Sequence, residues 1–157
     1  IQNMRKQIKA KTEKNNKIIL FISIFIFSFL LNFVWESLHG STLYKDHNML
    51  AIDYVKMVSY VSFMDGLLII LIYLIISICL KNINWIKKNN MFNYASFFLI
   101  GLIIAVIIEI LNVYIYNRWS YNSNMITLFG IGISPLFQLA ITGIISLLLI
   151  RNLKFFN

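Results

Sequence analysis

The sequence predicts an all-α integral membrane protein, a single bundle of four transmembrane helices with both termini on the cytoplasmic side. Three observations predict it. Hydrophobic residues make up 59% of the 157 positions and charged residues only 13%, with a mean hydropathy of +0.76. An ordinary globular chain is roughly 45–50% apolar, and so little charge cannot cover a water-facing surface. The apolar residues gather in four runs near 18–35, 57–80, 94–116 and 132–150, each close to the ~20 residues that cross a bilayer core. The basic residues, finally, stand on alternate connections.

Residues 1–17 carry Arg5, Lys6, Lys9, Lys11, Lys14 and Lys17 against one acid, Glu13. This stretch is expected to be a disordered basic cytoplasmic segment that sets topology, or else a short surface helix on anionic lipid. The remainder, 18–157, is one transmembrane domain. The first run follows basic residues as a signal peptide would, yet no small-x-small cleavage site follows it, so it reads as an uncleaved span.

After Trp35 and Glu36 a connection reaches to about Val55. Gly40, Ser41 and Thr42 are expected to break the helix, and Asp46 to cap a new one near His47. His47 and Asp53 read as surface groups. The second span follows, with Asp65-Gly66 ahead of an unbroken apolar stretch. Residues 81–93 read as a polar basic loop. Glu109 and Asn112 interrupt the third span, and a second polar connection covers 117–131. The fourth span has Pro135 in its first turn, where a missing N–H does no harm.

The N-terminal segment, the 81–93 loop and the C-terminal tail hold eleven of the 14 Lys and Arg residues. Only Lys45, Lys56 and Arg118 lie on the other side. This bias predicts a cell-membrane protein with N-in, C-in orientation. Trp35, Tyr44, Tyr116, Trp119 and Tyr121 then fall near the outer interface, as an aromatic belt would. The one cysteine, Cys79, lies in an apolar run and can form no intrachain disulfide. Because the basic residues flank spans, the net charge of +8 points to lipid headgroups and away from nucleic acid.

Polar residues inside the spans carry the functional reading. At about 1.5 Å per residue from the cytoplasmic ends, Asn32, Asp65 and Glu109 each lie roughly 21–22 Å up, and Gln138 about 18 Å. Four helices thus place a polar group at nearly one level. Glu36 and His39 sit one and two turns above Asn32, and Asn112 one turn above Glu109. Gln138 shares a stripe with Pro135 and Thr142, and Ser62 with Asp65.

Intramembrane carboxylates cost roughly 2.5–3.5 kcal/mol each on insertion scales and usually face the bundle interior. A polar chamber open to the outer face is expected, with a shared proton or a bound cation. Arg118 is placed to neutralise one acid. Glu36, Asp65, Glu109 and His39 are the candidate acid/base groups, and Asn32, Asn112, Arg118, Trp119, Tyr121 and Gln138 the candidate binding groups. The bland alternative makes the same residues interhelical hydrogen-bonders. Glu36 and His39 have the spacing for a shared metal, but two ligands do not make a site and no HExxH or Cys pair supports one, so no metal is assigned and the cofactor is unknown. Ser37 and Ser41 near His39 are a weak match to a nucleophile–base pair.

Trp35-Glu36, Asp65-Gly66 and the stretch RWSYNSNMITLFGIGISPLFQ, Arg118 to Gln138, resemble a family of small bacterial four-helix membrane proteins. That family shows W-E near the first helix end, an acid opening the second, and R-W-x-Y with P-L-x-Q before and in the fourth. More remotely, W-x-Y, the following glycines and P-L are similar to membrane-embedded carotenoid (lycopene) cyclase domains. Those domains place paired acids after the proline, where this chain has Phe137 and Gln138. Acid catalysis by buried carboxylates, with Glu36, Asp65 or Glu109 as acid/base, suits a lipid or isoprenoid substrate. The partners expected are membrane lipid and an apolar small molecule, with a homo-oligomer left open. An enzyme, a small ion-coupled transporter and a non-catalytic accessory or assembly subunit all remain in contention.

Overall fold

In the computed structural model, which describes residues 2–45, 49–88 and 90–153, the chain is an all-α bundle of four helices. They are α1 (Gln2–Thr42), α2 (Ala51–Cys79), α3 (Met91–Ile110) and α4 (Ile133–Arg151). Each is long and apolar enough to cross a membrane. A 3₁₀ turn at Trp85–Lys87 lies between α2 and α3. A π turn, Leu111–Ile115, extends α3. A two-residue hairpin, β1 (Thr127–Leu128) and β2 (Ile131–Gly132), leads into α4.

α1 departs from expectation at both ends. The basic segment is helical rather than disordered, in keeping with its many Lys, Arg and Gln residues, which are good helix formers. The helix also runs through Gly40 instead of breaking there, for 41 residues in all. Two local features accompany the continuation. The hydroxyls of Ser37, Ser41 and Thr42 donate to carbonyls one turn back, at 2.6, 2.9 and 2.6 Å. Gly40 meanwhile admits the ring of Tyr54, whose hydroxyl donates to Ser37 O at 2.6 Å. A Cβ on Gly40 would lie 2.7 Å from that hydroxyl. The glycine serves close approach of a ring, not a break in the helix.

α2 begins at Ala51, two turns before the expected span, with Leu50 as an N-cap that makes no side-chain cap bond. The expected cap Asp46 and His47 lie outside the described residues. Asp53 is exposed and pairs with Lys56 at 3.4 Å. α3 starts under an Asn90 cap, whose side chain accepts from Phe92 N, and its π turn ends before Asn117, a residue with positive φ that reverses the chain.

Along α1, Ile22, Ile26, Leu30, Val34 and Leu38 are exposed, while Leu20, Ile24, Ser28 and Asn32 are fully buried. The apolar stripe faces outward and the polar one inward, the arrangement suited to lipid rather than water. Small residues let the helices close up. A Cβ on Gly101 would meet the Ala140 backbone at 3.2 Å, and one on Gly143 would meet the Phe97 ring at 2.5 Å. The half of the bundle holding the start of α1 and the end of α4 is sealed by an apolar core that includes Leu20, Ile24, Ile72, Tyr73, Phe97, Leu147 and Ile150. The loop at 81–93 is less polar than expected. Trp85 and Ile86 are buried, with Trp85 stacked on Tyr73 at 5.0 Å and its indole N–H donating to Ser77 Oγ.

Candidate functional site

The site is built on a polar seam between α1 and α4. Ser28, Asn32 and Glu36 repeat every four residues on one helix, and Gln138, Thr142 and Ser146 on the other. A spacing of four keeps each set on one face. The helices run antiparallel, so the sets meet rung by rung. Ser28 Oγ bonds Ser146 Oγ at 3.2 Å. Asn32 Oδ1 accepts from Thr142 Oγ1 at 3.2 Å and from Gln138 Nε2 at 3.0 Å. Glu36 Oε1 accepts from Gln138 Nε2 at 2.6 Å. One more rung joins His39 Nε2 to Ser134 Oγ at 2.7 Å.

α2 brings its acid to the same rung. Asp65 Oδ2 accepts from Gln138 Nε2 at 3.0 Å, and Gly66 beside it packs under the Phe25 ring, with 3.2 Å left for a Cβ. Ser62, on the same face, turns instead to Val58 O. The amide orientations follow from their partners. Asn32 Nδ2 donates to Ser28 O at 2.9 Å, so its oxygen faces α4. Turning Gln138 over would set its carbonyl against two carboxyls. A side-chain amide has two N–H groups, yet three acceptors from three residues surround Gln138 Nε2. The cluster is one donor short.

Glu109, on α3, is held separately. Its Oε2 accepts from Trp119 Nε1 at 3.3 Å and from the Tyr121 hydroxyl. These two expected binding residues therefore orient the acid. Arg118, expected to neutralise one of the acids, donates instead to Asn112 Oδ1 at 3.3 Å and lies over the Tyr116 ring. Asn112 in turn donates to Ile108 O, so its carbonyl is free to receive the arginine. Among the described residues Glu36, Asp65 and Glu109 form no ion pair, and no three His, Cys, Asp or Glu side chains are close enough together to hold one metal ion.

The segments after α1 and α3 pair across the end of the bundle. Tyr44 and Tyr121 form a β-bridge, flanked by Lys45 N to Ser120 O at 2.9 Å and Asn122 N to Leu43 O at 3.0 Å. Their rings make a roof, with Tyr44 6.3 Å from Trp119 and 5.4 Å from Tyr121. Burial first, then the neighbouring Glu109 carboxylate, push both tyrosine hydroxyls above the usual phenol range, so both stay protonated. Tyr44, Trp119 and Tyr121 thus turn inward to the site, where a belt would face the lipid interface.

Beneath this roof lies a cavity of about 160 Å³. Glu36, Asp65, Glu109, Gln138, Arg118 and Trp119 line it, together with apolar Met57, Val61, Ala105, Ile108, Pro135 and Leu139. A cavity of about this size, 150 Å³, holds benzene in an apolar protein core.

His39 does not occupy the solvated rim that its sequence position suggests. It is buried, with Trp35 Nε1 donating to its Nδ1 at 3.1 Å. An indole N–H only donates, so Nδ1 carries the lone pair and Nε2 the proton. Nε2–H then donates to Ser134 Oγ. In that tautomer His39 cannot take a proton from Ser134, and the pair is a structural rung rather than a nucleophile and its base. Ser37 and Ser41 are committed to α1 carbonyls.

Four further residues of the site, Ser28, Ser146, Ser134 and Tyr44, escape a reading of the sequence. The first two continue the four-residue spacing of Asn32 and Thr142, which is a usable signal. Ser134 and Tyr44 have none, because their partners are 95 residues away and across a chain reversal. No family model, curated protein or solved structure matches this chain.

Proposed function

We propose that this multi-pass membrane protein carries out acid/base chemistry on an unsaturated lipid or isoprenoid within its intramembrane cavity. The observation that carries the reading is the convergence of three carboxyls, from three helices, on one largely apolar cavity. Acid catalysis on an apolar substrate needs proton donors and acceptors held out of water. The donor shortage around Gln138 favours a proton shared by Glu36 and Asp65, which makes that pair the acid. Glu109, whose Oε2 receives two donors, serves as the carboxylate base. Protonation of an alkene carbon by the pair, with loss of a neighbouring proton to Glu109, shifts a double bond and conserves protons overall. Asn32 and Gln138 position the acid pair; Trp119 and Tyr121 position the base, and Asn112 holds Arg118 at the mouth.

Access favours lipid over solute. The paired loops roof the cavity, whereas α2 and α3 pack together less extensively than α1 with α2, α3 with α4 or α1 with α4. Met57 and Val61 of α2 and Ala105 and Ile108 of α3 line the cavity, apolar walls suited to a hydrocarbon chain. The acceptor surplus also suits a second reading, a proton- or cation-coupled carrier. A carrier needs a path to the opposite face, and below Ser28 and Ser146 the next rung is Ile24 and Ile150, both fully buried. Cell-membrane location with cytoplasmic termini is part of the proposal and rests on the Lys and Arg bias.

An isotope-labelling assay tests the reading without specifying a substrate in advance. The protein is reconstituted with total lipid from its source membranes in D₂O, and the lipids are extracted and weighed by mass spectrometry. Proton transfer to carbon is expected to deposit deuterium in one unsaturated lipid class. Glu109→Gln should slow it by about 10²–10⁴-fold. No deuterium above protein-free controls, or labelling undiminished by Glu109→Gln and Asp65→Asn, overturns the reading.

A further inference from the structure

A second cavity, of about 440 Å³, lies at the other end of the bundle. Its walls come from three segments. Asn16 and Lys17 belong to α1, Lys81 and Asn82 to the chain leaving α2, and Asn84 and Lys87 to the 3₁₀ turn region, with Glu13 as the one acid. Among the described residues none of the three lysines forms an ion pair. The walls are fixed from within. Trp85 and Ile86 anchor the turn in the core. Asn82 Oδ1 accepts from Asn84 N at 2.9 Å, which leaves the Asn82 amide N–H groups for the cleft. Lys81 is held at φ 49° as the left-handed residue that closes α2, with Asn82 N bonded back to Ser77 O at 3.0 Å.

The cleft also sits at a boundary. Lys17 directly precedes the apolar run of α1, and Lys81 directly follows that of α2. Ile18, Ile78 and Leu80 beside it are exposed. Three unpaired ammonium groups with amide donors match a phosphate, and the apolar surface alongside matches acyl chains. We infer that this cleft binds the phosphodiester headgroup of an anionic phospholipid, with Lys17, Lys81 and Lys87 on the phosphate.

Native mass spectrometry of the full chain, titrated with phosphatidylglycerol and with phosphatidylcholine, tests the site. Saturable binding with preference for phosphatidylglycerol is expected. The triple variant Lys17→Gln, Lys81→Gln, Lys87→Gln should bind it at least about tenfold more weakly. A second triple variant, Arg5→Gln, Lys11→Gln, Lys14→Gln, removes the same charge from exposed positions outside the cleft and should keep the preference. Equal binding of both lipids, or equal loss in the two triple variants, overturns the inference. Inorganic phosphate is the third arm. If it binds with the same lysine dependence while phosphatidylglycerol does not, the lipid assignment falls and free phosphate is the ligand.

Discussion

Asp65→Asn should stabilise the protein. Gln138 Nε2 offers two N–H groups to Asn32 Oδ1, Glu36 Oε1 and Asp65 Oδ2, all within 3.0 Å. Replacing the aspartate by an amide of the same shape removes one uncompensated acceptor and supplies two donors. One additional interhelical hydrogen bond is worth about 0.6 kcal/mol. Removing a carboxyl from the membrane adds part of the roughly 3 kcal/mol insertion cost, only part because Asp65 already receives a bond from Gln138. The net gain should be about 1–2 kcal/mol, or a melting-temperature rise of about 3–6 °C by the scaling for a chain of this size. Unfolding in mixed micelles by added dodecyl sulfate measures it. A loss above about 1 kcal/mol refutes the donor count. The outcome also separates an accessory role from a chemical one. A residue kept only as helix glue should cost stability when removed, whereas a residue kept for chemistry commonly restrains it.

Two further outcomes follow. Gln138→Leu keeps the bulk but deletes the two N–H donors that three acceptors share, and at about 0.6 kcal/mol per bond should destabilise by about 1.2 kcal/mol; a change below about 0.5 kcal/mol in the same unfolding assay would show the seam to be energetically idle. A reporter active only in the cytoplasm, fused after Lys154, should be active, while one inserted in the 117–131 connection should be silent; the reverse pattern overturns the orientation.

The four spans are legible in the sequence because lipid allows few solutions: long apolar runs, with basic residues at alternate ends. Counting depth along each run puts Asn32, Asp65 and Glu109 at one level with Gln138 close below; in the structure the Gln138 amide joins Asn32 and Asp65, while Glu109 is held apart by Trp119 and Tyr121. Such a count does not show where a helix overruns its apolar stretch. α1 continues past Glu36 because Tyr54, from the next helix, fills the space at Gly40, and nothing near Gly40 in the chain announces that. Trp85 reads as part of a basic loop because its partners, Tyr73 and Ser77, come from the helix before it. Trp119 and Tyr121 are recognisable as site residues without their task, since the bond to Glu109 depends on how the chain reverses at Asn117. The hydroxyls of Ser28 and Ser146 are easily passed over because serine in a helix can satisfy itself on the carbonyl four residues back, and Ser146 does so at 2.7 Å from Thr142 O while still meeting Ser28.

The seam also decides which part of the bundle can give way. α1 and α4 are joined rung by rung from Ser28–Ser146 to His39–Ser134, so parting them would expose buried polar groups to hydrocarbon at every turn. α3 and α4 are locked by backbone approach at Gly101 and Ala140. α1 and α2 are held by Gly66 under Phe25 and by Tyr54 over Gly40. The contact between α2 and α3 has no comparable polar rung among the described residues, and apolar side chains line both of its sides at the cavity. Opening there exchanges apolar protein contact for apolar lipid contact, the least costly exchange the bundle offers. It would leave the Glu36–Gln138 rung intact on one wall while Asp65 and Glu109 move with their own helices.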